Sequence, residues 1–400
     1  MDFNSSPSSI MHIDLNSCFA TIEQQANPFL RGKPVAVAAF NSPNGCILAA
    51  SVEAKRLGIK TGMRVKEGRD FFPKLIVLTP DPWKYRCVHQ KLKKLLLDYS
   101  PEVFPKSIDE FVLKPQVVCS MQNVACEIKK RIKQEIGEWI TVSIGISTNR
   151  YLAKIASNLQ KPDGLVEINK DNYLDIYSRL RLVDLTGIKD ANAVRLESFG
   201  IYTVLDFYNA SLWKLKAAFH SITGLYWYQR LRGFEVDDFS SKRASFGNSA
   251  AIGKSVISFE EVCPILCNLV EKMARRLRTG GFKAYGVHLA LYYKNGSFWH
   301  KGESFETPLF SSQDFFKKAV KLLRETSFNA PVGNLAVSAF NLVKTNSLQL
   351  EIFENVEKKD DLATAVDQIN ERWGEDVVKP AIILKSKQEI LDRIAFGLLN

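Results

Sequence analysis

The sequence predicts an α+β protein of several domains. Three observations lead there. The chain is too long for one ordinary core, short strand-like runs alternate irregularly with helical ones up to Gly164, and a second α+β stretch follows a helical one. Four hundred residues, 46% of them hydrophobic, exceed the roughly 250–300 at which a single core stops growing, so roughly two to four domains are expected. Aromatic content of 11% and charged content of 24% belong to an ordered globular chain rather than a disordered one.

The elements follow in order. Ile10 to Leu15 are extended in character, Asn16 or Ser17 can cap a helix, and Phe19, Ile22, Glu23 and Ala26 recur at helical spacing. "PFLRGKPVAVAAF" turns at Gly32 and re-enters a strand, "NSPNG" is a loop, "VEAKRLG" a short helix closed by Gly58, and "LIVLTP" a strand. Val88, Leu92, Leu95, Leu96 and Tyr99 mark the next helix. An acidic strand, a helix near 120–137, the strand "TVSIGIS" and the helix "NRYLAKIAS" come next. Irregular alternation of this kind suits α+β better than a doubly wound α/β sheet. After Gly164 the chain reads as helical, with a tight turn at Gly187 and a stop at Gly200. From about Ala250 strand-like "GVHLALYY", helical "FFKKAVKLLRE" and strand-like "LAVSAFNLV" form a second α+β unit. The tail has a helix with Leu362, Ala365, Val366, Ile369 and Trp373 on one stripe.

Several classes are disfavoured. There is no apolar run of about 18 residues, and the start "MDFNSSPSSI" lacks the basic and apolar regions of a secretory signal. The seven cysteines are scattered without zinc-ligand spacing. A reduced, cytosolic protein without structural zinc is expected. The net charge of +11 and pI of about 9.2 point to a polyanionic partner. Between Phe239 and Gly302, ten basic residues (Lys242, Arg243, Lys254, Lys272, Arg275, Arg276, Arg278, Lys283, Lys294, Lys301) face three acids (Glu260, Glu261, Glu271), a local +7. Nucleic acid is the expected partner there, and a membrane is not.

The chemistry concentrates in three acids. Asp109 and Glu110 adjoin inside strand-like "KSIDEFVL", where two carboxylates about 4 Å apart would repel by roughly 4 kcal/mol at an effective dielectric near 20. A third acid, Asp14, ends the first strand in "MHIDLNSCF". Together they suit a divalent-cation site, because hard Mg²⁺ takes carboxylate oxygens and keeps positions for substrate phosphates. Two such ions can support an in-line phosphoryl displacement. Neighbouring strand residues face opposite sides, so the chain must bend near Asp109–Glu110 for both to serve one cluster.

The motifs "HIDLNSCFATIEQQANPFLRGKPVAV", "AASVEAKRLGIKTGM", "SIDE", "SIGISTNRYLAKIASNLQKPDG" and "DRIAFG" resemble, in order and spacing, the Y-family translesion DNA polymerases, the bacterial DNA polymerase IV type above all. The resemblance implies a right-hand polymerase: palm at 1–19 and 79–165, small fingers at 20–78, helical thumb at 166–232, linker at 233–249, little finger at 250–345 and a tail from 346 to 400. It implies template-directed addition of dNTPs to a primer 3′-hydroxyl, of low fidelity and tolerant of damage. Two Mg²⁺ ions would be held by Asp14, Asp109 and Glu110 with the Leu15 carbonyl. Backbone amides of Asn16, Ser17, Cys18 and Phe19 would meet the triphosphate, with Lys55 and Lys161 as further contacts and Phe19 as the steric gate against a ribose 2′-hydroxyl. The thumb stretch "LTGIKDANAVRLESFG" resembles a helix–hairpin–helix, so Gly187 and Lys189 would approach a DNA phosphate. Lys254, Arg275, Arg276 and Arg278 would add backbone contacts along primer–template DNA. "QLEIF" (Gln349, Leu350, Ile352, Phe353) resembles the motif that docks on the bacterial sliding clamp. The protein would act as a monomer in the bacterial cytosol, at the nucleoid when engaged.

Two positions depart from the family pattern: Val52 and Lys55 stand where Tyr and Arg are usual in the fingers. Lysine keeps the charge but not the bidentate fork, so a grip on the β/γ-phosphates weaker than or different from the family's is expected. A left-handed backbone at Lys189, where a second hairpin glycine is usual, would cost roughly 1–2 kcal/mol. Two other readings stand beside the polymerase: a catalytically silent DNA- or clamp-bound scaffold, which has no need of the three acids, and another palm-type metal enzyme such as a nucleotide cyclase.

Overall fold

The computed structural model describes the chain apart from residues 117–119, 238–242, 254–255, 346–355, 375–376 and 387–400, and apart from the side chains of 356 and 357. Two compact units emerge, one from the residues up to Phe239 and the other from Ser240 on.

The first unit opens with strand β1 (Ile10–Leu15) and helix α1 (Cys18–Ala26), then β2 (Val35–Ala38), β3 (Ile47–Ala50), α2 (Val52–Arg56), α3 (Val65–Phe71) and β4 (Ile76–Leu78). Next come α4 (Pro82–Leu96), β5 (Val103–Pro105), β6 (Glu110–Leu113), α5 (Met121–Arg131), β7 (Val142–Ser147), α6 (Arg150–Leu159) and β8 (Leu165–Ile168). Five strands form one sheet in the order β5-β6-β1-β7-β8. Every residue of β1 is buried, since β1 is flanked by two strands and covered on both faces. Met11, Ile13 and Leu15 enter a core with residues of α1, α4 and α5; Ile10 on the other face meets Val112 and Ala153 of α6. Helix α6 lies so close to β7 that a Cβ at Gly145 would come within 1.9 Å of the Ala153 carbonyl oxygen. Directly after Gly164, where the sequence reads as helical, β8 runs parallel to β7. α6 is thus the crossover of a βαβ unit.

β2 pairs antiparallel with β3 and parallel with β4 in a separate three-stranded sheet, with its own small core of Ala36, Ala38, Ile47, Ala54, Ile59 and Val65. The rest of the unit is helical: α7 (Tyr173–Arg179), α8 (Asp190–Glu197), α9 (Val204–Asn209), α10 (Leu212–Phe219) and α11 (Thr223–Arg230). They enclose Tyr177, Leu196, Phe207 and Trp227. Gly187 and Gly200 have φ of 94° and 65°, the left-handed turns their positions in the sequence anticipate.

The second unit contains β9 (Ser245–Ala251), α12 (Phe259–Thr279), β10 (Phe282–Tyr293), β11 (Phe298–Leu309), α13 (Ser312–Leu323), β12 (Val332–Lys344) and α14 (Val356–Trp373). Its sheet has the order β11-β10-β12-β9, antiparallel throughout. The buried residues of α12 and α13 share one core with the strands, including Leu266, Leu269, Leu277, Phe315, Leu289 and Leu335. Cys263 and Cys267 are both buried on α12, the single helix face their spacing predicts. Among the described residues no helix is long and apolar enough to cross a membrane.

Candidate active site

Antiparallel pairing of β1 with β6 sets Asp14 opposite Glu110 and His12 opposite Val112. The bend anticipated at the acidic pair is present. β6 begins only at Glu110, and residues 106–109 form the turn from β5, closed by the Lys106 amide donating to the Glu110 carbonyl at 2.8 Å. Asp109 therefore escapes the strand alternation. Its carbonyl accepts from the Leu15 amide at 2.9 Å, and its carboxylate accepts from the Ser107 hydroxyl at 2.5 Å. Asp109 and Asp14 line one cavity.

Each of the two opposed acids faces a lysine. Lys161 Nζ lies 2.7 Å from Asp14 Oδ2, and Lys154 Nζ, from α6, lies 2.6 Å from Glu110 Oε2. Asp14 is 8% exposed. Burial raises its pKa, Lys161 offsets this only in part, and Glu110 and Asp109 raise it further. Asp14, whose charge Lys161 offsets only in part, is suited to a further cation. His12, Asp14 and Glu110 each offer a ligand atom, all within 4.8 Å of one another.

His12 is buried and neither ring nitrogen has a hydrogen-bond partner. Its pKa is lowered from 6.5 to about 3, first by burial and then by Lys154, Lys161 and Lys106. The ring is thus neutral near pH 7, and its 3.8 Å approach to Glu110 is not an ion pair. A pKa depressed on folding means that the unfolded chain takes up the proton first. The contribution to stability is complete above 6.5 and is lost as pH falls towards about 3. Every tenfold difference in proton affinity between the folded and unfolded chain is worth ~1.4 kcal/mol. His12→Phe is therefore expected to flatten the fall in melting temperature across that acid range. Parallel acid limbs for variant and wild type would show that His12 does not titrate so.

Beyond β1 the chain turns sharply into α1. Ser17 occupies the N-cap position with φ 50° and ψ 40° and makes no side-chain cap bond, unlike the ordinary cap its type predicts. The amides of the first helical turn have no intrahelical acceptor and suit an anion. The Asn16 amide is not available for one, because it donates to the Thr141 carbonyl at 3.0 Å. Phe19 lines the cavity and stacks on Tyr85, with centroids 4.3 Å apart and planes 10° from parallel. Tyr85 is fully buried. Its hydroxyl donates to Glu23 at 2.9 Å, and Lys84 donates to the other Glu23 oxygen at 2.9 Å. The cavity measures about 590 Å³ and is also lined by Leu15, Ser17, Cys18, Val52, Lys55 and Lys161. The Lys55 pKa is lowered, first by partial withdrawal from water and then by Lys161.

The residues expected to touch DNA behave differently from one another. Lys189 has φ −116° and ψ 177°, an extended conformation, so the strain anticipated there does not arise. Arg276 donates from one guanidinium nitrogen to the Gly247 carbonyl at 3.0 Å. Arg278 is not the exposed charge the sequence suggests. Its side chain is 6% exposed; it grips both oxygens of Asp367 on α14 at 2.6 and 2.8 Å and reaches Phe310 and Ser312. Asp367 also attracts Arg275 at 3.6 Å. Lys254, the "QLEIF" residues Gln349, Leu350, Ile352 and Phe353, and "DRIAFG" lie outside the described residues.

Sequence reasoning passed over His12, Lys154, Glu23 and Tyr85. His12 left a signal: a polar residue two positions before Asp14, hence on the same strand face. Tyr85 left none, since an aromatic on a helix reads first as core.

The impB/mucB/samB family model matches residues 13–158, and the impB/mucB/samB family C-terminal domain matches residues 243–352. DNA polymerase IV of Moorella thermoacetica is 33% identical over 396 residues, covering 95% of this chain and 97% of its own. The chain belongs to the DNA polymerase IV branch of the Y family. DNA polymerase IV of Pelotomaculum thermopropionicum is 31% identical, covering 94% of this chain and 95% of its own. DNA polymerase IV 1 of Bacillus subtilis is 28% identical, covering 95% and 94%. A Dbh-based Y-family polymerase chimera shares the fold with a TM-score of 0.75 at 23% identity, covering 84% of this chain and 99% of its own. The insertion ternary complex of Dbh DNA polymerase gives 0.58 at 23% identity over the same shares.

Proposed function

We propose that this Y-family chain adds dNTPs to a primer 3′-hydroxyl under template direction, as a low-fidelity, damage-tolerant polymerase of the bacterial cytosol. The observation that supports this most is the pairing of Asp14 with Glu110 across neighbouring strands, with Asp109 lining the cavity that Asp14, Phe19 and the start of α1 share. Asp14, Asp109, Glu110 and the Leu15 carbonyl would hold two Mg²⁺, which suit an all-oxygen donor set. Bound there, the ions supply charge neutralisation for phosphoryl transfer. The first-turn amides of α1, Lys55 and Lys161 hold the triphosphate, and Phe19 lies under the sugar. The palm is 1–19 and 79–168, since β8 completes its sheet, the fingers are 20–78 and the thumb follows to 232; the linker expected over 233–249 ends before β9 (Ser245–Ala251), the first strand of the little finger, which runs to 345, and the tail is 346–400. Gly187, Lys189, Lys254, Arg275 and Arg276 track the DNA backbone.

Primer extension with Mg²⁺, a defined template and single dNTPs tests this reading. Template-directed incorporation is the expected result. Cyclic product formed without primer would favour a cyclase, and DNA binding without incorporation a scaffold. The tail docks a monomeric enzyme on the bacterial sliding clamp. Replacing Leu350, Ile352 and Phe353 by alanine is expected to abolish clamp-stimulated synthesis while leaving distributive synthesis intact. Stimulation that persists would remove "QLEIF" as the main contact.

A further inference from the structure

We infer that Asn16 is a positioning residue: its side chain clamps the loop at 160–164 against β7 and so holds Lys161 over the site. The inference rests on Lys161 as a triphosphate contact. Asn16 is 4% exposed, and a buried amide needs its hydrogen bonds satisfied. Its Oδ1 accepts from the Asp163 amide at 2.8 Å and from the Thr141 hydroxyl at 3.1 Å. Its Nδ2 donates to the Ser143 hydroxyl at 2.9 Å. That hydroxyl also accepts from the Gly164 amide and donates its own hydrogen to the Gln160 carbonyl, each at 3.2 Å. The residues on both sides of Lys161 are thereby tied to Asn16, directly at Asp163 and through Ser143 at Gln160 and Gly164.

The loop needs such a clamp. Asp163 has φ 58°, a conformation that disfavours a residue with a Cβ, and a Cβ at Gly164 would fall 1.8 Å from the Gln160 carbonyl oxygen. Lys129 and Lys133 hold the Asp163 carboxylate at 3.0 and 2.9 Å, and Lys129 also donates to the Asp163 and Gly164 carbonyls, whereas Asn16 holds the Asp163 amide and, through Ser143, the Gln160 side of Lys161. An amide suits the position because both of its functions are used. Oδ1 receives two donors, while Nδ2 supplies the hydrogen that Ser143, its own hydrogen committed to Gln160, cannot.

Steady-state dNTP kinetics on Asn16→Ala, Lys161→Ala and the double variant test this in the full chain. Asn16→Ala is expected to raise KM for dNTP by between about tenfold and about 10²-fold, the range of a misplaced contact, with a smaller change in kcat. In the Lys161→Ala background the same substitution is expected to change KM little, because Asn16 acts through Lys161. Equal effects in both backgrounds, or an unchanged KM for Asn16→Ala, overturn the inference. The acylation rate of Lys161 without nucleotide, read by mass spectrometry, separates this failure from that of Lys161 itself. The rate rises in Asn16→Ala if the clamp is real. An unchanged rate overturns the clamp, whereas an unchanged KM in Lys161→Ala overturns only the lysine's phosphate role. Ser143→Ala, which cuts the Gln160 and Gly164 arm alone, is expected to reproduce a fraction of both effects. It stands in should Asn16→Ala fail to fold, and no change in either readout then overturns the clamp.

Discussion

Primer extension is expected to fall by about 10³-fold or more when Asp109 and Glu110 are both replaced by alanine, because a lost metal site removes several kcal/mol of charge stabilisation. Asp14→Ala is expected to do the same. The three acids contribute from three places: Asp14 from near the end of β1, Glu110 from the first residue of β6, and Asp109 from the turn between β5 and β6. Removing Glu110 also frees Lys154, whose ammonium now lies 2.6 Å from it. Glu110→Gln keeps that contact as a hydrogen bond, so its melting temperature should stay near the wild-type value while extension is lost. Incorporation by Asp109→Ala/Glu110→Ala at the wild-type rate, measured as single-turnover extension with Mg²⁺, would remove these residues from the reaction.

Phe19→Ala is expected to admit ribonucleotides, lowering the dNTP-over-NTP preference in kcat/KM by about 10²-fold, the scale on which a pocket wall rejects one extra group. The ring is held from beneath. It lies flat on Tyr85, 4.3 Å away, and the Tyr85 hydroxyl is bound by the buried Glu23. Tyr85→Leu is therefore expected to relax the same preference by a smaller factor, since the Phe19 ring remains but loses its flat support. Unchanged preference in Phe19→Ala would place the gate on another cavity residue; unchanged preference in Tyr85→Leu alone would show that Phe19 needs no backing.

Much of this was legible in the order of residues. The apolar run around Asp14, the helical spacing after it, the α6 pattern and the turn glycines at 187 and 200 are local signals, and the elements form where those signals lie. β8 was not legible. Leu165–Ile168 is four residues long and becomes a strand because β7 offers it a parallel edge, a tertiary cause that local propensity does not carry. The bend at Asp109 was required by the chemistry, but only the tight β5–β6 turn provides it.

By itself, then, the chain's order pointed to its family, to most of its α+β elements and to the three acids as candidates, because periodicity, turn chemistry and motif spacing act over short distances. Tertiary structure alone decided which polar groups are already taken up within the chain. Arg278 and Asp367 are far apart in sequence yet form a two-pronged ion pair, and Asn16 spends its side chain on Asp163 and Ser143 instead of a ligand. A charge or an amide is defined by its residue type, but what it binds depends on which other polar groups folding brings within hydrogen-bond reach, since a buried polar group takes the partners at hand.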